Sequence, residues 1–347
     1  MSGSSMDGLD LALVRFEHDG KWSFHVLGTG TTPFSAELLQ TIEKAFSGNA
    51  FDLAFAHKTI GKAFGKMALD LLSVSSEKAD LISSHGHTIF HQPELSMTFQ
   101  AGSGAEIAAI TGIDTVCDLR TTDISLGGQG APLVPVGEKA LFPDHNLFLN
   151  LGGIANISIH GEKTRAFDIC HCNMILNTLA VEVNKPFDEN GDLARSGNID
   201  QHLHDRLSQS MTVHEKGPHS IGREHFEGSL ASLLEDIHLS TEDKLRTSVE
   251  VIATCIAEAL NGQKGSTVMV TGGGAYNAFL IERIREISKA TLFIPESTIV
   301  EFKEAIIFAF LGLLRSLNKP NCFKDVTGAK ADNIGGAIYS GNSNKAS

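Results

Sequence analysis

The sequence predicts an α/β fold of two lobes, and three observations carry that prediction. Helical and strand-like stretches alternate along the whole chain. Each half opens with strands around a glycine-rich turn, so the pattern repeats. A chain of 347 residues also exceeds what one hydrophobic core ordinarily serves, which makes two domains the natural expectation.

The elements follow in order. Residues 9–16 read as a strand, with 21–27 as its hairpin partner. Residues 35–46 and 51–72 carry helical periodicity. A short buried strand over 81–84 runs into His85-Gly86-His87, and a helix over 104–111 precedes a strand over 114–117. The pattern breaks at Gly127-Gly128-Gln129-Gly130-Ala131-Pro132, the candidate domain boundary. Strands return at 148–151, 156–160 and 165–169, and the stretch to about 260 is largely helical. Strands at 267–270 and 291–294 flank a helix over 277–288, and 303–317 is a strongly amphipathic helix. No flexible linker separates the halves, which favours two lobes around a shared cleft.

Composition narrows the partners. The formal charge of −13 argues against a nucleic-acid backbone, although a small anionic substrate can be held by local positive charge. No apolar run approaches membrane-spanning length. Ser, Gly and Asp fill the first positions where a signal peptide would be apolar. Five scattered cysteines, an odd number, suggest reduced thiols and a cytoplasmic protein.

Three glycine-rich turns carry the chemistry. They are Gly3-Ser4-Ser5-Met6-Asp7-Gly8, then Gly152-Gly153 with Asn156, then Gly272-Gly273-Gly274 with Asn277. Glycine lets backbone N–H groups approach an anion without a Cβ in the way. Three such turns beside strands suggest two phosphate loops and a nucleoside loop on one nucleotide. A carboxylate beside a phosphate needs a cation, so Asp7 points to Mg²⁺ held through water; its alternative is a turn Asp bonding its own backbone. Asp10 alternates with Leu9 and Leu11 and can simply face solvent. His85, His87 and His91 have metal-like spacing but no fourth ligand nearby, which favours hydrogen bonding. Cys170 and Cys172 flank His171, an arrangement open to a metal or redox role but more simply read as buried thiols.

The residues then match something known. Met1-Ser2-Gly3-Ser4-Ser5-Met6-Asp7-Gly8-Leu9-Asp10 resembles the signature of the anhydro-N-acetylmuramic acid kinases. So do Ser84-His85-Gly86-His87-Thr88, Thr98-Phe99-Gln100-Ala101-Gly102, Asp118-Leu119-Arg120 and Gly127 through Pro135. Leu149 through Asn156, Ser220-Ile221-Gly222-Arg223-Glu224, Val270 through Asn277, Lys303-Glu304-Ala305 and Val326-Thr327-Gly328-Ala329 complete the set, in family order.

The resemblance implies two ribonuclease-H-like lobes of the actin/hexokinase/Hsp70 type, expected here over 1–126, rejoined by 330–347, and over 127–329. It implies a reaction with ATP and Mg²⁺. Water opens the 1,6-anhydro bridge, O6 takes the γ-phosphoryl group, and N-acetylmuramic acid 6-phosphate feeds cell-wall recycling. The partners implied are the anhydro-sugar and ATP, with no nucleic acid or membrane, and a homodimer is left open.

Asp168 is implied to be the base that activates water, at the end of a strand over 165–167; the bland alternative is a cap for a helix starting near Asn173. Glu304 is implied to position the water or sugar, although a Glu in a first helical turn is favoured by the helix dipole alone. His85, His87, Gln100, Asp118, Arg120 and Asn173 are implied at the sugar. Arg120 would clamp the lactyl carboxylate, or else form an ordinary surface ion pair.

Two departures stand out. After Asp168 the run is Ile169-Cys170-His171-Cys172-Asn173, without the small residues and Pro common in the family. Only Met1 and Ser2 precede the first turn, where a strand needs about 5–6 residues. The expectation is that the first strand of the lobe is absent, that the natural protein begins several residues upstream, and that the chain as given is less stable than the extended one. Another sugar or acetate kinase of this fold would share the glycine turns but not Thr98-Phe99-Gln100 or the 127–135 run. A catalytically dead sugar sensor would show no ADP formation.

Overall fold

The computed structural model describes residues 1–3, 6, 8–211, 221, 226–235, 238–261 and 266–341, with 227 and 229 by backbone alone. The chain divides into two compact units, Met1–Pro143 with Phe302–Ser347, and Asp144–Glu301.

Unit 1 opens with a hairpin. Strand β1 (Gly8–Asp19) pairs antiparallel with β2 (Lys21–Pro33), Asp19 opposite Lys21. Gly20 turns the corner at φ +72°, where a side chain is strained. Met1 and Asp10 exchange backbone hydrogen bonds on the edge of β1 away from β2. Helix α1 (Ala36–Ser47) starts where Ser35 Oγ accepts the Leu38 N–H, and it buries Leu38, Ile42 and Ala45. Helix α2 (Ala50–Ser73) starts with a reciprocal Asn49–Asp52 capping box. Both helices close over a core of Leu9, Phe34, Ile42, Ile60, Phe64 and Ile107. Strand β3 (Ile82–Ser83) is followed by a second hairpin, β4 (His87–Gln92) with β5 (Met97–Ala101). Helix α3 (Gly104–Thr111), strand β6 (Thr115–Cys117), α4 (Thr121–Ser125) and α5 (Val134–Leu141) complete this part.

Unit 2 is built on one sheet. Strands β7 (Leu147–Leu151), β8 (Ile154–Ile159) and β9 (Arg165–His171) form an antiparallel meander. Helices α6 (Asn173–Val181), α7 (Asp192–Ser196), α8 (Gln201–Met211), α9 (Ala231–Leu234) and α10 (Thr241–Ala259) follow. Strand β10 (Thr267–Thr271) runs parallel to β7, α11 (Ala278–Ser288) crosses over, and β11 (Thr291–Phe293) runs parallel to β10. The order is β11-β10-β7-β8-β9, the arrangement expected of a ribonuclease-H-like lobe, with β7 central and apolar. Leu147, Leu149, Leu151, Val268, Val270, Leu245, Val249 and Ile252 lie in the core of this unit.

Helix α12 (Ser297–Ser316) contains the boundary between Glu301 and Phe302. Helix α13 (Lys324–Thr327) and strand β12 (Ala337–Tyr339) return to unit 1, where β12 pairs antiparallel with β6 in the order β12-β6-β3.

The unit boundaries differ from the sequence expectation of 1–126 with 330–347, and 127–329. Helix α5 packs within unit 1: Gly137 leaves no room for a Cβ against Ile307, and Glu138 pairs with Lys303. Helix α13 ends on Thr327, which bonds Asp123. The Gly127–Pro132 break is thus an internal loop of unit 1. Sequence reading also missed the β4–β5 hairpin and β12. The β4 residues His-Thr-Ile-Phe-His-Gln mix polar and aromatic side chains without clean alternation.

Candidate functional site

Unit 2 brings its two glycine turns together. Strand β7 ends at Leu151, and Gly152-Gly153 turns the chain into β8. The carbonyl of Gly152 accepts the Asn173 N–H (3.1 Å), and that of Gly153 accepts the Cys172 N–H (2.8 Å). The turn is therefore locked to the start of α6. Nothing nearer than 3.8 Å faces the Cβ position of Gly153, so an anion can approach its backbone. The triple glycine is crowded on one side. A Cβ on Gly272 would lie 2.6 Å from Asn150 Oδ1, and one on Gly274 would lie 2.7 Å from Leu151 Cβ. Gly272 also has φ +83°. Glycine is required here by the close approach of β10's end to β7's end.

The Asn150 side chain lies between Gly152 and Gly272, and sequence reading did not single it out. Its signal was a polar residue at the end of an otherwise apolar strand. Asn173, expected at the sugar, donates through Nδ2 to Leu151 O (2.9 Å) and lies beside Gly274. Asn277 is the N-cap of α11: its Oδ1 accepts the Leu280 N–H (2.9 Å). Thr271 Oγ1, at the entry to the triple glycine, is buried with no hydrogen-bond partner among the described residues.

Asp168 is not at a strand end. Strand β9 continues to His171, and the register with β8 slips between Ala155 and Asn156, setting Asn156 opposite Asp168. Such a bulge re-aims a side chain out of the regular alternation. Asp168 Oδ2 accepts the Ile221 N–H (2.8 Å). The cap of α6 is Cys172, without a side-chain capping bond, so Asp168 does not cap that helix. Cys170 and Cys172 are both buried, and burial pushes the Cys172 thiol up to about 12.

Unit 1 gathers a polar cluster. Arg120 Nε donates to His85 Nε2 (2.9 Å), and its Nη1 donates to Gly130 O (2.7 Å). His85 Nδ1 donates in turn to Gly86 O (3.0 Å), so the ring is neutral with Nε2 as acceptor. Burial and the Arg120 charge hold the His85 pKa well below its ordinary value. Burial lowers Arg120 itself to about 10, opposed by the field of Glu304. Its contacts are an imidazole, a carbonyl and the Phe308 ring; no ion pair offsets it among the described residues. The surface ion pair that the sequence left open for Arg120 is not formed among the described residues. Glu304, on α12, has a pKa raised by burial and lowered again by Lys303 and Arg120.

The remaining candidates of unit 1 fall as follows. His87 is buried, with Nδ1 on Ser2 Oγ (2.8 Å) and the rings of Phe34 and Phe46 edge-on. His91 Nδ1 meets Thr98 Oγ1 (3.1 Å). Gln100 Nε2 donates to the same hydroxyl (2.8 Å), while Gln100 Oε1 is buried without a partner among the described residues. Asp118 is exposed at φ +56° and accepts from Thr121 Oγ1 (2.5 Å). Asp10 accepts from Thr31 Oγ1 (2.6 Å). In the first turn, Met6 has φ +55°, and a Cβ on Gly8 would lie 2.6 Å from Thr32 O. Gly3 is exposed. Ser4, Ser5, Asp7, Gly222 and Arg223 lie outside the described residues.

Known proteins resemble the chain as a whole. A family model for anhydro-N-acetylmuramic acid kinase matches residues 1–341. A protein of that name from Shewanella pealeana is 33% identical over 360 residues, covering 98% of this chain and 97% of the relative. One from Coxiella burnetii is 34% identical over 363 residues, covering 98% and 96%. Among solved structures, the activator of 2-hydroxyisocaproyl-CoA dehydratase from Clostridium difficile with bound ADPNP aligns at a TM-score of 0.43 and 10% identity, covering 89% of this chain and 96% of that one. A ROK family glucokinase from Streptomyces griseus in complex with glucose and AMPPNP aligns at 0.40 and 11% identity, covering 87% and 99%.

Proposed function

The chain belongs to the anhydro-N-acetylmuramic acid kinase family, and from that premise we propose how its own residues open and phosphorylate the anhydro-sugar with ATP. Water attacks C1 of anhydro-N-acetylmuramic acid, the C1–O6 bond breaks, and O6 takes the γ-phosphoryl group. The products are N-acetylmuramic acid 6-phosphate and ADP, in cell-wall recycling. The water proton goes to Asp168. Bond breaking puts negative charge on O6, which makes it the nucleophile, so one base drives both halves of the reaction.

The observation that carries this reading is in unit 2. Asp168 sits at a bulge of β9 opposite Asn156, which lies on the strand that leaves the Gly152-Gly153 turn, and the side chains of Asn150 and Asn173 lie between that turn and the triple glycine. A base and a phosphate cradle thus share one rigid sheet. The Ile221 N–H holds Asp168 Oδ2 in place, and Oδ1 faces the water in this proposal. In unit 1, Arg120 supplies a positive charge held on neutral acceptors for the lactyl carboxylate, and Gln100 supplies a buried acceptor for a sugar hydroxyl or amide. Glu304 orients the sugar or its water. Mg²⁺ would accompany the ATP phosphates and offset their charge, with Asp7 as the carboxylate that would hold it.

No helix among the described residues is long and apolar enough to cross a membrane. The proposed site of action is the cytoplasm, where ATP is available, without nucleic-acid or membrane partners.

A coupled assay of ADP release tests the proposal. ADP is expected only when anhydro-N-acetylmuramic acid is present, with phosphate on O6 of an opened ring. ADP release with other sugars alone identifies a different kinase. No release with any sugar identifies a sensor.

A further inference from the structure

The Gly127–Pro132 loop has no part in the proposed chemistry, yet it is built around a charge. Asp123, on α4, is fully buried. Its Oδ1 accepts from Thr327 Oγ1 (2.8 Å), Asn333 Nδ2 (2.8 Å) and Cys322 Sγ (3.0 Å). Its Oδ2 accepts the Gly130 N–H (2.8 Å). Four donors from three separate stretches of chain converge on one carboxylate. A buried carboxylate is tolerated only when it is satisfied in this way.

The glycines of the loop follow from that charge. A Cβ on Gly128 would collide with the Asp123 carboxylate. A Cβ on Gly130 would lie 2.8 Å from Ile124 Cγ1, and Gly130 has φ +66°. The loop is held on its far side too, where Gln129 N–H donates to Thr327 O (2.8 Å). Residue 130 is therefore pinned by its N–H to Asp123. Its carbonyl is the acceptor that holds Arg120 Nη1 (2.7 Å).

We propose that Asp123 is a positioning residue: through Gly130 it fixes the Arg120 guanidinium, and so sets the affinity for the carboxylate of the sugar substrate. The inference rests on the reading of Arg120 as the receptor for that carboxylate. The path has two bonds, Asp123 to Gly130 and Gly130 to Arg120. His85 forms the second wall, accepting from Arg120 Nε. A guanidinium held on two sides by neutral acceptors keeps its charge for a ligand and its planar fork in one orientation. Release of the loop would leave Arg120 with one anchor, and a displacement of about 1 Å can weaken a clamp by about a hundredfold.

A double-variant cycle on the full chain tests this. Arg120→Ala, Asp123→Asn, the double variant and Gly130→Ala are assayed for the KM of anhydro-N-acetylmuramic acid and of ATP, with thermal melts to confirm folding. Arg120→Ala alone tests the underlying reading: an unchanged sugar KM removes the receptor role and the inference with it. Given a raised sugar KM there, Asp123→Asn is expected to raise the sugar KM about tenfold or more, leave the ATP KM within about twofold, and add nothing further in the double variant. Gly130→Ala keeps the other three donors to Asp123 and is expected to shift the sugar KM in the same direction, which keeps the test open if Asp123→Asn does not fold. Additive losses in the double variant, or equal losses for sugar and ATP, overturn the inference while leaving the role of Arg120 intact.

Discussion

The two units hold their sites by different means. In unit 2 the five strands among the described residues form one continuous sheet, and the glycine turns leave the ends of its strands β7 and β10. Each turn is held by backbone ladders and by the close approach of glycines. In unit 1 the seven strands among the described residues are divided among three sheets, β1-β2, β12-β6-β3 and β4-β5, and the edge of β1 away from β2 carries Met1. The candidate side chains there hang on side-chain networks: Asp123 under the 128–130 loop, Arg120 on His85, and the buried Lys303–Glu138 pair next to Glu304. A ladder fixes backbone whatever the side chains are, whereas a buried charge network fixes position only while every partner is present. Substitution should therefore harm chemistry without harming stability in unit 2, and harm both in unit 1.

The largest expected effect is in unit 2. Asp168→Asn removes the proposed base but keeps an oxygen that can accept the Ile221 N–H. Turnover should fall by about 10²–10⁴-fold, with ATP binding and melting temperature close to those of the parent. Single-turnover ADP formation and nucleotide titration check both parts. Loss of melting temperature together with activity would break the comparison, because it would make Asp168 a structural group.

Next comes the buried pair of unit 1. Lys303 Nζ and Glu138 Oε1 are 2.6 Å apart, with side chains 4% and 2% exposed. Removing one partner leaves a charge in the interior, so Glu138→Leu should destabilise by about 3–5 kcal/mol. Replacing both, as Glu138→Leu with Lys303→Met, should recover most of that loss, because the desolvation of two charges is removed with them. Denaturant midpoints of the three proteins measure it. A single variant as stable as the parent would mean that α12 is held by its apolar face alone, through Ile306, Ile307 and Phe310.

How much was legible beforehand follows the same division. The elements of unit 2 were readable because each strand is a short apolar run and each turn is marked by glycine. Its ribonuclease-H-like order was implied by resemblance and is present. The local error was at Asp168, where a bulge keeps the residue inside β9; a bulge is a pairing event and leaves no mark in one strand's own sequence. Unit 1 was less legible. Gly127–Pro132 looked like a boundary because glycine and proline punctuate loops, but the partners that hold it, Thr327 and Asn333, lie about two hundred residues away. The bond from the Asn173 side chain back to Leu151 was equally invisible beforehand. Long-range polar contacts of this kind carry no periodicity, so pattern reading cannot find them.

The smallest effect sharpens the comparison by pH. His57, His85, His87 and His91, all of unit 1, have pKa values lowered, in each case first by burial. A histidine that is neutral when folded but charges when unfolded gives the unfolded chain the extra proton. Its contribution to stability is complete above the unfolded value near 6.5 and is lost as pH falls below it, with a slope of up to about 1.4 kcal/mol per pH unit for each such group. Glu304 acts in the opposite sense: burial raises its pKa, so protonation on acidification favours the folded state and offsets part of the loss. One carboxyl against four imidazoles leaves the histidines dominant between about pH 6.5 and 5. Unit 1 should therefore lose protection first on mild acidification, seen as faster hydrogen exchange in β4, β5 and β6 than in β7 and β10 after correction for intrinsic rates. His87→Gln is the decisive variant. Glutamine can still bond Ser2 Oγ but does not titrate, so the fall in urea midpoint from pH 6.5 to 5 should become shallower. An unchanged pH dependence in that variant, with β7 and β10 opening as early as β4, would mean that the two units respond to acid alike and that buried imidazoles do not set the weaker half of the molecule.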